Sequence, residues 1–194
     1  TIAARLVQRG LLDYEAPVVR YWPEFGQAGK QEVLVRHLLA HQAGLSAPRR
    51  DVTAQQVTDW EFMTALLAEQ APLWPPGSGH EYHSLTFGWL VGEVIRRITG
   101  KPIGAVLDEV IARPLGADIW LGAPSRVLER TAELLPVPAP ESALISAGRR
   151  TPAAPEWGVR ALTLGGAFPV ELFGDGTGFN DPHIRAAEIP EIGR

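Results

Sequence analysis

The stretch Trp74–Gly100, WPPGSGHEYHSLTFGWLVGEVIRRITG, constrains this chain more than any other. Its first half, Trp74-Pro75-Pro76-Gly77-Ser78-Gly79, is a stiff turn-forming entry, because proline fixes φ and glycine supplies the positive φ of tight turns. Its second half, from about Ser84 to Ile98, has the helical period. Phe87, Val91, Val94 and Ile98 fall on one stripe, which Leu90 and Ile95 widen. Gly88 and Gly92, one turn apart, give the helix a thin side that another backbone can approach. Arg96 and Arg97 suit the negative end of the helix dipole, and Gly100 is a natural C′ residue before Lys101-Pro102. Between the stiff loop and the helix N-terminus sits Tyr82. The residues alone leave two readings of it: a phenol placed for chemistry, or a tyrosine that caps a core with its hydroxyl in water.

Length and charge bound the rest. A chain of 194 residues makes one domain, or one and part of another, with a real core. The apolar fraction of 45% and net charge of −4 describe an ordinary globular protein and point to neither nucleic acid nor an anionic membrane as partner. No apolar run reaches membrane-spanning length. The chain has no cysteine, which excludes disulfides, thiolate zinc sites and a cysteine nucleophile.

The chain opens inside an amphipathic pattern, Ile2 to Val7, that stops at Gly10. A start in mid-pattern, without Met or a signal-like segment, leads us to expect a fragment. A short helix follows over Val33–Leu39. Asp59 is placed to N-cap a helix carrying Phe62, Leu66 and Leu67, and Ile103, Val106, Leu107, Val110 and Ile111 mark another. Ile119-Trp120-Leu121 and Thr131 to Val137 read as short strands. Pro136 to Pro155, with five prolines, reads as a linker or surface excursion, and Leu162 to Asp181 is glycine-rich. The expected division is a helical region over about 1–116 and a strand- and loop-rich region over about 117–194.

Several motifs are tested by their spacing. His37 and His41 stand at i, i+4, as on a zinc-protease helix, but Leu38 occupies the position of that motif's glutamate. His80 and His83 lie three apart in the loop and make a three-histidine site with His41 an option, weighed against histidines that merely cap or fill. No metal is assigned. Asp175-Gly176-Thr177-Gly178 with Asn180 and Asp181 lacks the EF-hand spacing and its final glutamate, so a turn is expected. No Gly-x-Ser-x-Gly elbow is present.

Read in order, Arg5-Leu6-Val7-x-x-Gly10, Asp13-x-x-Ala16-Pro17-Val18, Tyr21-x-Pro23-Glu24-Phe25, Val35-Arg36-His37-Leu38-Leu39-x-His41-x-x-Gly44-Leu45, Pro76-Gly77, Tyr82-x-Ser84, Gly88-x-Leu90-x-Gly92 and Arg113-Pro114-Leu115-Gly116 carry a family resemblance. The chain resembles the serine β-lactamase-related hydrolases, in the branch of class C-like (family VIII) carboxylesterases and LACTB-like proteins. The likeness covers roughly Thr1 to Leu121 and then thins. It implies an α/β fold of the β-lactamase/DD-peptidase kind, of which this chain holds mostly the helical domain with part of the sheet domain. It also implies a Ser-x-x-Lys nucleophile whose proton is handled by the lysine and by a Tyr-x-Asn tyrosine, with no cofactor. Tyr82 matches that tyrosine, and Ser84, His83 and His41 are the supporting residues beside it. A phenol with a pKa of about 10 becomes a usable base only where nearby cations stabilise its phenolate. Ser84 stands where the family often has Asn, so it lacks the amide used on penicillin-like substrates.

Two of the family's boxes are missing. Gln27 stands three before Lys30 and Ile98 three before Lys101, so no Ser-x-x-Lys exists, and neither Lys-Thr-Gly nor His-x-Gly occurs. The expectation is therefore an interior piece, truncated at both ends, of a cytoplasmic hydrolase that cleaves small esters, with its nucleophile upstream. By itself this piece is expected to be inactive. Amide cleavage as a β-lactamase or D-Ala peptidase, and a non-catalytic binding relative, are the alternatives.

Overall fold

Helices are the main regular structure of the described chain, which comprises residues 1–135, 155–168 and 177–189 of a computed structural model. In chain order they are α1 (Ile2–Gln8), α2 (Val35–Leu39), α3 (Ala54–Val57), α4 (Trp60–Glu69), α5 (Thr86–Thr99), α6 (Ile103–Leu107), α7 (Arg113–Leu115), α8 (Ser125–Leu128), α9 (Pro155–Thr163) and α10 (Pro182–Ala186). A π-helical stretch, Asp108–Ala112, joins α6 to α7. Short 3₁₀ turns span Val18–Arg20, Pro23–Gly26 and Thr177–Asn180.

The long helix anticipated from the sequence is α5, and it is central. It is buried on nearly every side, with Leu90, Val94 and Ile95 joined by Thr86, Gly88, Trp89, Gly92 and Glu93. Phe87, Val91 and Ile98, read as members of one apolar stripe, are only partly buried. The helix is sandwiched by α2, α4 and α6 rather than laid on one face of a core. Its end is as the sequence indicates: Gly100 takes φ 67, the left-handed conformation of a C′ glycine, and its N–H donates to the Arg96 carbonyl at 2.8 Å. The thin side at Gly92 receives an aromatic ring instead of a backbone, since a Cβ there would lie 2.7 Å from Trp60 Cη2.

Helix α4 begins at the expected cap. The Asp59 carboxylate accepts the Phe62 N–H at 3.0 Å. The same helix locks onto α5 through Glu93, a fully buried carboxylate that accepts from Trp60 Nε1, Arg96 Nε and Arg97 Nε, each at 2.7 Å. Burial works against its charge, but the bonds from Arg96, Arg97 and Trp60 outweigh it and hold the carboxyl below its ordinary range. The two arginines also reach outward to Glu61 and Glu24. Lys30, also fully buried, gives its ammonium to the carbonyls of Gln27 and Gln70, tying a turn to the end of α4.

The strand expectations are not met among the described residues. One antiparallel bridge, Pro17 to Leu34, is the extent of β-pairing there. Residues 119–121 are irregular: Trp120 bonds back to Asp118 and stacks under Arg126, and the Leu121 carbonyl fills the space beside Gly104. Residues 132–135 form no strand, and the partner of Leu134 is a side chain. Asn180 donates to the Leu134 carbonyl at 2.9 Å and accepts the Leu134 N–H at 2.8 Å, doing locally what a neighbouring strand does. Pro136, Val137 and most of the proline-rich segment lie outside the described residues, as does Gly174-Asp175-Gly176. Among the described residues no helix is long and apolar enough to cross a membrane.

Candidate active site

Two irregular segments meet beneath Tyr82. The first follows α2. The helix ends at Ala40, and His41 adopts φ 56, which turns the chain out of the helical path. His37 and His41 therefore do not share a helix face. His37 Nδ1 accepts the Leu34 N–H at 3.2 Å inside the first turn of α2, whereas His41 turns toward residues 80–87. Gly44 takes φ 72, and a Cβ on it would stand 2.5 Å from the Trp74 carbonyl oxygen. That close approach docks the Pro-Gly turn onto this loop, with Leu73 N–H donating to Gly44 O at 2.7 Å and Gly77 N–H to Gln42 O at 2.9 Å.

The second segment is Glu81-Tyr82-His83, which belongs to no helix or strand and whose side chains alternate between buried and exposed. Glu81 and His83 turn inward and are buried, and Tyr82 turns outward, 61% exposed. Both neighbours are anchored. Glu81 N–H donates to the His41 carbonyl at 3.3 Å, and the Ser46 hydroxyl donates to Glu81 Oε2 at 3.0 Å. His83 N–H donates to His41 Nδ1 at 3.2 Å, Leu45 N–H donates to His83 Nε2 at 3.1 Å, and His83 Nδ1–H donates to the Glu81 carbonyl at 2.7 Å. Thr86 Oγ1 closes the set by donating to the Leu45 carbonyl at 2.7 Å. The His41 ring lies 4.9 Å from the Tyr82 ring in an edge-on arrangement and 4.7 Å from Phe87.

The titrations follow from this burial. Burial pushes the His83 imidazolium down to about 4, against the opposing bond to the Glu81 carbonyl and with help from His41 and His80. Burial and then His80 lower His41 as well. Both imidazoles are neutral at pH 7. Burial raises the Glu81 carboxyl, while the Ser46 bond opposes the rise.

The structure thus brings Tyr82, His83 and His41 into one cluster, and Ser84 adjoins it. Ser84 is half-buried, and its hydroxyl faces the Ala161 carbonyl of α9 at 3.4 Å. His80 joins the cluster, 5.9 Å from the His41 ring, and His41 and His83 are 5.6 Å apart. The three-histidine arrangement weighed from the sequence exists in space, but both ring nitrogens of His83 and one of His41 are already spent on hydrogen bonds. Among the described residues no group of three or more His, Asp or Glu is arranged to hold a metal ion. Ser46 and Glu81 escaped the sequence reading, which includes Phe87 only as part of the helix stripe and not as a neighbour of the site. The one available signal was the charged Glu81 inside a proline- and glycine-rich loop beside the tyrosine, and only its burial gives that signal meaning.

The sequence model of the Beta-lactamase family matches residues 1–167. The chain belongs to that family. It is 44% identical over 135 residues to the esterase/beta-lactamase LipL of Mycobacterium tuberculosis, covering 66% of this chain and 31% of that protein. Among solved structures, a family VIII carboxylesterase superposes with a TM-score of 0.78 at 38% identity, covering 98% of this chain and 47% of that one. A penicillin-binding protein homolog from Caulobacter crescentus gives a TM-score of 0.73 at 35% identity, again with 98% and 47% coverage. The chain thus spans about a third of that curated relative and just under half of each solved structure. The β-lactamase-like fold anticipated from the motifs is the fold of this chain, represented among the described residues by helices.

Proposed function

We propose that this chain is the tyrosine-bearing part of a serine hydrolase that cleaves small esters through an acyl-serine. Its family carries the general reading, and the position of Tyr82 carries the particular one. Tyr82 is an exposed aromatic held between two buried, hydrogen-bonded neighbours, so the phenol is presented outward on a fixed base. In this reading the nucleophilic serine of a Ser-x-x-Lys lies upstream of Thr1. Its oxygen attacks the ester carbonyl as its proton passes to the lysine of that box and toward the Tyr82 oxygen. The tetrahedral intermediate expels the alkoxide, which takes that proton, and water then releases the acid and restores the serine. Ser84 supports the ester reading because it has no amide to recognise a lactam, and its hydroxyl is turned to Ala161.

The test is fluorophosphonate labelling of the full-length product of the same gene beside residues 1–194 alone, with the modified residue mapped by mass spectrometry. We expect labelling of the longer protein only, at a serine followed three residues later by lysine. Turnover of a nitrophenyl ester should exceed that of a chromogenic cephalosporin and collapse in Tyr82→Phe. A label on a serine within residues 1–194 overturns the reading. Faster cephalosporin turnover makes it a lactamase, and absence of any label makes it a binding relative.

A further inference from the structure

The loop of residues 41–46 and the segment 81–86 are joined by several hydrogen bonds without forming a ladder. Apart from the bond of the Glu81 N–H to the His41 carbonyl, the joining groups are side chains. His83 has one ring proton and uses both nitrogens: Nδ1–H donates to the Glu81 carbonyl, and bare Nε2 accepts the Leu45 N–H. His41 is in the opposite state, because its Nδ1 accepts the His83 N–H and must be bare, which leaves its proton on Nε2. Each arrangement works for one neutral tautomer only. A flipped or charged ring would set donor against donor at Leu45 or at His83. Tyr82 stands between these anchors and rests its ring on that of His41.

We propose that His41 and His83 form a clamp of two neutral imidazoles in opposite tautomers that positions Tyr82 for proton transfer. Both are positioning residues, because neither needs to touch the substrate. The unusual backbone of His41 fits this role. Its φ of 56 costs free energy for a β-carbon-bearing residue, and the position nonetheless carries a ring that reaches Tyr82, Phe87 and the His83 N–H at once. Asparagine is the informative replacement. It tolerates positive φ, and its side-chain oxygen can take the place of Nδ1, but it removes the ring under Tyr82.

This proposal rests on the reading of Tyr82 given above, so the full-length enzyme is tested with both kinds of variant. Tyr82→Phe comes first: ester turnover that survives it removes the role of Tyr82, and the clamp's catalytic purpose with it. With Tyr82 confirmed, His41→Leu should lower kcat about a hundredfold, the effect of displacing a catalytic group by about an ångström. KM should stay within about threefold. His41→Asn, which keeps the acceptor, should recover at least about tenfold of that loss. Loss confined to KM, or a His41→Leu enzyme as fast as wild type while Tyr82→Phe is dead, overturns the clamp and leaves the role of Tyr82 standing. A further test needs no variant. In the enzyme labelled with ¹⁵N-histidine, His83 should show the Nδ1–H tautomer and His41 the Nε2–H tautomer at pH 7. Any other pair of tautomers overturns the proposal.

Discussion

Replacing Glu93 by glutamine should cost a large share of the stability of this chain for a change of one side-chain group. The carboxylate is fully buried and accepts four hydrogen bonds, from Trp60 Nε1, from Nε and a terminal nitrogen of Arg96, and from Arg97 Nε. Removing one partner of a buried ion pair costs roughly 3–5 kcal/mol, mostly because the surviving charge is stranded. Here the surviving charges are not fully stranded. The arginine side chains are 31% and 34% exposed and keep Glu61 and Glu24 as outer partners. Glutamine also keeps one acceptor oxygen. These two terms lower the expected loss to about 2–3 kcal/mol, against a total of about 5–15 kcal/mol for an ordinary domain. Urea denaturation followed by tryptophan fluorescence should show the midpoint falling by about 1–1.5 M with unchanged slope. Trp60→Phe removes one of the four donors and should cost about 1 kcal/mol. The double variant should lose less than the sum, because both changes act on one carboxylate. A loss below about 0.5 kcal/mol for Glu93→Gln, or strict additivity with Trp60→Phe, would refute the idea that this carboxylate fastens α4 to α5.

Three further outcomes follow from the same geometry. Asp59→Ala should cost about 1 kcal/mol by freeing the Phe62 N–H, and Asp59→Asn almost nothing, as measured by thermal or urea midpoints. Gly44→Ala should lose more than about 2 kcal/mol, because left-handed backbone and a clash with the Trp74 carbonyl act together. Gly100→Ala, with similar φ but open space, should lose only about 1 kcal/mol, and equal losses would show that the clash is relieved at no cost. For His83 the folded pKa of about 4 lies below the ordinary 6.5. Its contribution is therefore complete above pH 6.5 and is lost as the pH falls through about 4, amounting to about 3 kcal/mol. Stability measured from pH 7 to 4 should fall more steeply in the wild type than in His83→Gln, and parallel curves would contradict it.

What the sequence revealed about the fold was what local chemistry determines. The cap at Asp59, the left-handed Gly100 and the run of α5 depend on residues within a turn or two of one another, so their signals lie side by side. Trp89 and Glu93 show where that logic stops. Helical periodicity assigns a buried face by assuming one core, but α5 is covered on several sides, and a glutamate becomes interior because α4 brings Trp60 to it. The strand expectations stopped at a similar point. Apolar and β-branched residues at 119–121 and 131–135 suit extended backbone, yet extension becomes a strand only with a partner ladder. Asn180 supplies the two bonds that Leu134 makes among the described residues.

The candidate site was half legible for the same reason. Tyr82 stood out through the turn before it, the helix after it and the family motif, all of which are contiguous. Its anchors are not contiguous. Ser46 meets Glu81 across 35 positions, Leu45 meets His83 across 38, Leu45 meets Thr86 across 41 and His83 meets His41 across 42. Neither segment has a period, because each bond is made once, by a different chemical group, on irregular backbone. Such bonds repay the entropy of closing a long loop only as a set, since closure costs about (3/2)RT ln n however many bonds follow it. The first bond between the segments bears the whole cost, and the later ones form on backbone already held. The set should therefore form and fail together. A substitution at Ser46 or Thr86, far from Tyr82 in sequence, should loosen the amides of residues 81–83 in hydrogen exchange nearly as much as one at His83 does. If instead each substitution loosened only its own bonded neighbour, the two segments would be a collection of independent contacts rather than one rigid base for the phenol.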